Sequence, residues 1–224
     1  MKNKFRNIKV CAFDAYGTCF DINSATKKIK SKIGKSWLKF SNTWRTTQLE
    51  YTWLRSLMKK HINFWKITED SLDYSMKLHN INIKNRKELL GLYKYLNAYP
   101  ELKKSLLQLK QKKIKTCILS NGTPSLLKKL TQGAKVEDLF NDLISIEKIK
   151  IYKPDPRVYE LVTKKYKCKP KEVCFLSSNC WDIVGAKAYG FTSIWVNRSN
   201  KIFDNLGYKP DMVFKDLYNL KKFL

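Results

Sequence analysis

The chain has few acidic residues and almost no histidine. Its 224 residues include 19 Asp+Glu and 2 His against 45 Lys+Arg, a formal net charge of +26. His61 and His79 lie far in sequence from every cysteine, and no C-x-x-C pair occurs, so a zinc site is not expected. We interpret the cysteines as reduced thiols of a cytoplasmic protein rather than as a disulfide framework. They are Cys11, Cys19, Cys117, Cys168, Cys174 and Cys180.

Long hydrophobic runs are also missing. No apolar stretch approaches the roughly 18 residues of a membrane span, and the basic start MKNKFRNIKV lacks the apolar core of a signal peptide. We therefore expect a cytoplasmic protein without a membrane partner. The lysines are spread along the whole chain, which predicts weak, salt-sensitive binding to polyanions but no specific nucleic-acid partner. With 43% hydrophobic residues, global disorder is excluded.

Short apolar runs predict a parallel β-sheet. They lie at 8–13, 114–119, 142–146, 172–176, 192–196 and 211–214. Strands with such continuous apolar character are typical of sheets that are buried on both faces. Helical patterns separate them at about 101–112, 123–132, 155–166 and 181–189. This alternation predicts the α/β class, with a doubly wound, Rossmann-like parallel sheet as the core.

Residues 22–99 interrupt this alternation. They contain no convincing strand and three helical patterns: one capped by Ser41-Asn42 and ending near Lys59, one opened by Thr68 and running toward His79, and one at about 85–97. We expect an all-helical cap domain at 22–99, inserted into an α/β core domain formed by 1–21 and 100–224. The active site should lie between them, at the C-terminal strand ends.

Polar residues follow the predicted strands at that edge. Asp14 ends the first strand and precedes a glycine-containing turn, a suitable place for a nucleophile. Ser120 and Asn121 follow the second strand, where a helix start can hold an anion. Lys153 precedes a rigid Pro-x-Pro segment, and Asp182 follows the fourth strand as a second carboxylate. Taken singly, such residues more commonly occupy an ordinary turn, cap or surface position.

Taken in order, these segments resemble the haloacid dehalogenase superfamily. They read FDAYGT at 13–18, LSNGTP at 119–124, IYKPDP at 151–156 and LSSNCWD at 176–182. Within the superfamily the chain is similar to the L-2-haloacid dehalogenases, through TWR at 43–45, QLEYTWLR at 48–55, RVYEL at 157–161, GF at 190–191 and WVNR at 195–198. It departs from the group at Cys19, where leucine is usual, and at Thr46, where glutamine is common.

The resemblance implies metal-independent hydrolysis of short-chain L-2-haloacids to D-2-hydroxy acids, with inversion at C2, by a homodimer without a cofactor. Tyr16 stands where the superfamily's phosphatases carry a second aspartate that protonates the leaving group, and a departing halide requires no proton. Ser178-Asn179 replace the Gly-Asp pair that helps those phosphatases hold magnesium. Two carboxylates facing a lysine make a poor magnesium site.

The resemblance also implies a role for each matching residue. Asp14 attacks C2 and forms an ester, Asp182 activates the water that hydrolyses it, Lys153 offsets the negative charges, and Arg45 draws off the halide. The substrate carboxylate is held by Ser120, Asn121 and the backbone at Ala15 and Tyr16. The nucleophile and the water are positioned by Thr18, Ser177 and Asn179, with Tyr159 supporting Lys153. Leu49, Phe64 and Trp181 form apolar walls.

Two other functions stay open. One is a magnesium-dependent small-molecule phosphatase of the same superfamily, which Tyr16 and Asn179 disfavour. The other is a basic α/β protein that binds nucleic acid or another polyanion. A binding module has no need of Asp14, Lys153 and Asp182 at three separate strand ends. His61 and His79 fall in the cap and are interpreted as packing or surface residues rather than as bases.

Overall fold

A computed structural model describes residues 5–218 and residue 220. The outermost parts of the predicted core domain, 1–4, 219 and 221–224, lie outside these described residues. Six strands form one sheet in the order β3-β2-β1-β4-β5-β6, and all neighbouring strands are parallel. The strands are β1 (Val10–Phe13), β2 (Lys115–Ser120), β3 (Asp142–Ser145), β4 (Val173–Ser177), β5 (Thr192–Val196) and β6 (Met212–Phe214).

The strand order reverses at β1, and this reversal creates the ligand crevice. From β1 the chain proceeds outward to β2 and β3 on one side, and then to β4, β5 and β6 on the other. Because crossovers between parallel strands are right-handed as a rule, connections that run in opposite directions place their helices on opposite faces, as in a doubly wound fold. Phe13 is in register with Ile118 of β2 and Leu176 of β4, so the residues that follow these three strands meet at one edge.

Four helices flank the sheet, and two of them begin at side-chain caps. They are α6 (Leu102–Gln111), α7 (Pro124–Gly133), α8 (Pro156–Tyr166) and α9 (Cys180–Tyr189). The side chains of Thr123 and Asp155 accept backbone hydrogen bonds at the starts of α7 and α8, each with a proline at the first helical position. At the end of α9, Gly190 adopts a φ of 107°, which favours glycine.

Residues 22–99 are here called the helical insertion. They form the helices α1 (Ser24–Lys28), α2 (Lys30–Ile33), α3 (Trp37–Leu57), α4 (Phe64–Leu78) and α5 (Arg86–Tyr93).

The prediction that Ser41-Asn42 caps a helix is wrong: α3 already begins at Trp37, and the Ser41 hydroxyl donates a hydrogen bond to the Asn23 side chain. Thr68 does not open α4 either, because Asn63 caps that helix. The third predicted helix ends at Tyr93 instead of near residue 97, and the Asn97 carbonyl accepts a hydrogen bond from the Asp21 backbone N.

The two chain segments that join the helical insertion to the sheet run side by side. Asp21 N donates to Asn97 O at 2.8 Å, and Tyr99 N donates to Cys19 O at 3.0 Å. An antiparallel bridge between Phe20 and Ala98 completes this short linker ribbon. The insertion thus departs from and returns to the core at one place, close to the end of β1, and the division at 21/22 and 99/100 remains a prediction.

Candidate active site

A buried lysine lies between two carboxylates at the strand ends. Lys153 Nζ is 2.8 Å from Asp182 Oδ2 and 3.4 Å from Asp14 Oδ1. The lysine side chain is 1% exposed, Asp14 follows β1, and Asp182 lies in the first turn of α9 after β4. Asn121, which follows β2, accepts a hydrogen bond from the Lys153 backbone N at 3.1 Å. A buried charge requires such partners, so the ion pairs fix all three side chains.

The second oxygen of the Asp14 carboxylate is held by two neutral donors. Oδ2 accepts hydrogen bonds from Asn179 Nδ2 at 2.8 Å and from the Thr18 hydroxyl at 3.1 Å. Thr18 in turn accepts from the Ser178 backbone N at 2.8 Å, which ties the turn after β1 to the end of β4. Within the described residues, Oδ1 keeps only its long contact to Lys153.

Asp182 is fully buried and has three donors. Tyr159 donates to its Oδ1 at 2.8 Å, Ser177 to its Oδ2 at 3.2 Å, and Lys153 to the same Oδ2. Burial raises the pKa of Asp182 to about 6, and Lys153 opposes that rise. Tyr159 thus contacts Asp182 directly, and any support it gives to Lys153 passes through this carboxylate. A carboxylate with a pKa near neutrality is suited to accept a proton from water.

Ser120 and Asn121 lie at the neighbouring strand end and complete the polar edge. Ser120 is fully buried, and its Oγ accepts from the Gly122 backbone N at 3.1 Å, which leaves its own proton for donation. The Ala15 carbonyl accepts from Cys19 and Phe20, while the Tyr16 carbonyl accepts from Asn179. The same Asn179 amide also donates to Asp14 Oδ2, which links the turn after β1 to the nucleophile.

A cleft of about 550 Å³ between the helical insertion and the core opens onto this edge. Arg45, Leu49, Asn179 and Trp181 are among its lining residues. Phe64, the third predicted wall, is fully buried instead and packs against the Tyr16 ring, with 5.2 Å between ring centroids. It is not among the residues that line this cleft.

Tyr16, two residues after Asp14, packs against aromatic side chains of the helical insertion. Its ring stacks on Tyr93 at 5.7 Å and lies 5.9 Å from the Arg45 guanidinium carbon. Among the residues that the structure describes, its buried hydroxyl has no hydrogen-bond partner, and a Cβ placed on Gly122 would lie only 2.9 Å from it. The aromatic ring thus fills the position next to the nucleophile where an acid would otherwise stand.

The sequence predicts no role for Arg198, yet it joins three parts of the site. Its guanidinium donates to Thr18 O at 2.9 Å, pairs with the buried Glu101, and stacks on Tyr99, whose ring centroid is 3.6 Å away. It therefore holds the linker ribbon against the turn that positions Asp14. An arginine at a strand end carries no local signal for such a role.

His61 and His79 are placed in the helical insertion. The first contacts Glu147 at 3.3 Å and the second the Thr43 hydroxyl at 2.8 Å. All six cysteines are free thiols. Across residues 5–218 and 220, no group of three or more His, Cys, Asp or Glu side chains is arranged to bind a metal ion. The same residues include no helix with the length and apolar character needed to cross a membrane.

These contacts support nucleophilic substitution followed by hydrolysis. The Asp14 carboxylate is held by donors that include Asn179 of the cleft lining, the Asp182 carboxylate can take up a proton, and a lysine balances both. The profile of a hydrolase family, the haloacid dehalogenase-like hydrolases, matches residues 8–190. The chain belongs to the haloacid dehalogenase-like hydrolases.

The chain is similar in sequence and in fold to named dehalogenases. The chain is 42% identical to (S)-2-haloacid dehalogenase 1 of Pseudomonas sp. (strain CBS-3) over 198 residues, 87% of this chain and 86% of the relative. A solved dehalogenase superposes with a TM-score of 0.95 at 33% identity, covering 98% of both chains. The L-2-haloacid dehalogenase of Xanthobacter autotrophicus with chloropropionic acid covalently bound gives a TM-score of 0.89 at 30% identity, covering 96% of this chain and 97% of that one.

This membership confirms several predictions. The haloacid dehalogenase-like family, the similarity to its L-2-haloacid dehalogenases and the identity of the chain as a hydrolase all hold. The predicted α/β fold is shared with the solved family members. The roles of the individual site residues stay predictions, although the structure brings Asp14, Thr18, Lys153, Asn179 and Asp182 into one connected network.

Proposed function

We propose that this protein converts short-chain L-2-haloacids into D-2-hydroxy acids through an ester on Asp14, without a metal ion or cofactor. The coarser activity follows from its relatives: it is a hydrolase acting on carbon–halide bonds, and the bonds are those of 2-haloacids. The single observation that carries the finer mechanism is the ammonium of Lys153 between the Asp14 and Asp182 carboxylates.

The first step forms the ester. We assign the attack to Asp14 Oδ1, because Thr18 and Asn179 occupy Oδ2 while Oδ1 has only a 3.4 Å contact to Lys153. The new bond joins this oxygen to C2 of the substrate, and the carbon–halogen bond breaks with its electron pair leaving on the halide. Attack from the face opposite to the halogen inverts C2.

Arg45 receives the halide. It projects from α3 into the cleft, with its guanidinium 5.9 Å from the ring of Tyr16. A fixed positive charge stabilises the negative charge that develops on the halogen. Because a halide leaves as a stable anion, the step requires no acid, in keeping with tyrosine rather than aspartate at position 16.

The second step hydrolyses the ester. Asp182 takes a proton from water while the water oxygen attacks Cγ of Asp14, and its pKa near 6 suits this task. The bond between Cγ and the product oxygen then breaks, and that oxygen takes up a proton. Asp14 returns as a carboxylate that contains one oxygen from water. The net products are halide, one proton and the hydroxy acid.

The remaining residues bind the substrate. Ser120, Asn121 and the backbone at Ala15 and Tyr16 are assigned to its carboxylate, next to the positive charge of Lys153. The alkyl group and the halogen contact apolar side chains, for which Leu49 and Trp181 line the cleft and Phe64 packs behind Tyr16. Ser177 orients Asp182 through a 3.2 Å hydrogen bond.

The donor set supports a reaction without magnesium. An ammonium already balances the two carboxylates, and amide and hydroxyl groups surround them. Magnesium favours octahedral sites with several anionic oxygens, which this arrangement does not offer. The homodimer, the cytoplasmic location and the cap-domain boundaries remain predictions.

Halide release from racemic 2-chloropropionate in the presence of EDTA tests the proposal. We expect the L enantiomer alone to disappear and D-lactate to form. In a single turnover in H₂¹⁸O, the isotope should enter Asp14 and not the product. Consumption of the D enantiomer, isotope in the first-turnover product, or no halide even from 2-bromopropionate would contradict it.

The matched controls are two Asp→Asn variants. Asp14→Asn removes the nucleophile and should abolish halide release. Asp138→Asn makes the same change at a solvent-exposed position outside the helical insertion and should leave the rate of halide release unchanged. Full activity of Asp14→Asn would assign the nucleophile elsewhere.

A further inference from the structure

Arg45 carries a charge that no carboxylate balances. Within the described chain, no acidic side chain forms an ion pair with it, and its Nε is buried without a hydrogen-bond partner. Its fixed contact is a hydrogen bond from Nη1 to Gln48 Oε1 at 2.9 Å. The two residues are three positions apart on α3, where side chains share a face.

Gln48 is held rigidly in the interior of the helical insertion. It is 1% exposed, and its Nε2 donates to the Thr68 hydroxyl at 2.7 Å. Its amide also contacts the Tyr93 hydroxyl, which lies 3.0 Å from Nε2 and 3.2 Å from Oε1. Every polar atom of this buried amide therefore has a partner, as a stable position requires.

The neighbouring hydrogen bonds determine which way the amide points. Thr68 donates its proton to the Phe64 carbonyl at 2.7 Å, so its oxygen can only accept from Gln48. Nε2 must therefore face Thr68, and Oε1 must face Arg45. An ionised glutamate could not donate to Thr68, which makes glutamine the residue type that this position requires.

We propose that Gln48 is a positioning residue that aims Arg45 at the departing halide through a neutral acceptor. This inference rests on the proposed function. A carboxylate would hold the arginine equally well but would neutralise its charge. An amide accepts the hydrogen bond without a negative charge of its own, so it fixes the guanidinium and leaves the positive charge for the halide.

The test compares Gln48→Glu with Gln132→Glu, which makes the same change at an exposed position of α7. The substrate is L-2-bromopropionate, and bromide serves as the product inhibitor. At pH 8 we expect Gln48→Glu to weaken bromide inhibition and lower kcat by about tenfold each, with a smaller change in KM. Gln132→Glu should match the wild type.

The pH profile separates charge from structure. As the pH falls, the introduced carboxyl becomes protonated and neutral, so the ratio of variant to wild-type kcat should rise. The groups facing it are Arg45, Tyr93 and Thr68; burial raises the pKa of Tyr93 to about 12, so it does not titrate in this range. A purely structural defect would give a ratio that is independent of pH.

Gln48→Met covers the case in which Gln48→Glu does not fold. Methionine keeps the side-chain volume but offers Arg45 no acceptor, so kcat should fall by about tenfold while KM changes little. Wild-type kcat in either folded variant, or a reduced ratio for Gln48→Glu that does not vary with pH, overturns the inference. Wild-type turnover tests the proposed function separately, because only the ratio of variant to wild type bears on Gln48.

Discussion

Replacing Lys153 with methionine removes the charge that balances Asp14 and Asp182. Methionine retains much of the apolar volume, but it leaves a fully buried and a nearly buried carboxylate without their cation. Removing one partner of a buried ion pair costs about 3–5 kcal/mol. We expect the free energy of unfolding at pH 7.5 to fall by about that amount, together with the loss of halide release.

The pH dependence of this loss follows from Asp182. Burial raises its pKa from 3.8 to about 6, so between these pH values the folded protein keeps a proton that the unfolded chain has released. Ionisation of Asp182 therefore costs stability as the pH rises through this interval, and a difference of about two pKa units corresponds to about 3 kcal/mol. Lys153 lowers the pKa of Asp182 and so limits the free-energy cost of its ionisation. Lys153→Met therefore increases that cost. At pH 5, Asp182 is mostly protonated and the difference between the proteins should shrink.

Urea denaturation followed by tryptophan fluorescence at pH 5 and pH 7.5 measures both values. Lys66→Met is the control, because it removes a lysine from the exposed ion pair with Asp70 and should change stability little at either pH. A Lys153→Met destabilisation of equal size at both pH values would refute the electrostatic account, since lost packing does not depend on pH.

Two further variants test other contacts. Tyr159→Phe removes the donor to Asp182 Oδ1, which raises the pKa of that carboxyl further. The decrease of kcat/KM at low pH should therefore begin at a higher pH than in the wild type. If it does not shift, another group is responsible for that decrease. Gly122→Ala places a Cβ 2.9 Å from the Tyr16 hydroxyl and 3.2 Å from Leu127. This overpacking should lower the free energy of unfolding by about 1–3 kcal/mol, and with it Tm and kcat/KM. An unchanged Tm would contradict the tight packing around Gly122.

The sheet and its polar edge were predictable because their signals are local. Each strand is a short apolar run, and parallel strands end at one edge, so Asp14 and Asp182 could be brought together from sequence alone. The local sequence does not distinguish Lys153 from the many other lysines of the chain, so its place near the two carboxylates was harder to predict. Its ion pairs join residues that are 139 and 29 positions apart, and no local pattern encodes such contacts.

The helical insertion was harder to predict because tertiary contacts override its capping signals. Ser41 and Thr68 have the side chains of helix caps, but they bond to Asn23 and to the Phe64 carbonyl inside packed helices. Gln48 looks like an ordinary polar helix residue in the sequence. Its importance depends on Tyr93, which is 45 positions away.

The linker ribbon bears on the order in which the chain folds. Val10 of β1 pairs with Lys115 of β2, 105 positions later, and closing so long a loop is entropically costly. If the helices between them form first, the ribbon brings Asp21 and Asn97 together and shortens the effective loop about fourfold. That saves roughly 1 kcal/mol of loop-closure free energy before the central strands meet. In that order of folding, the sheet that carries Asp14 assembles around a connection already made.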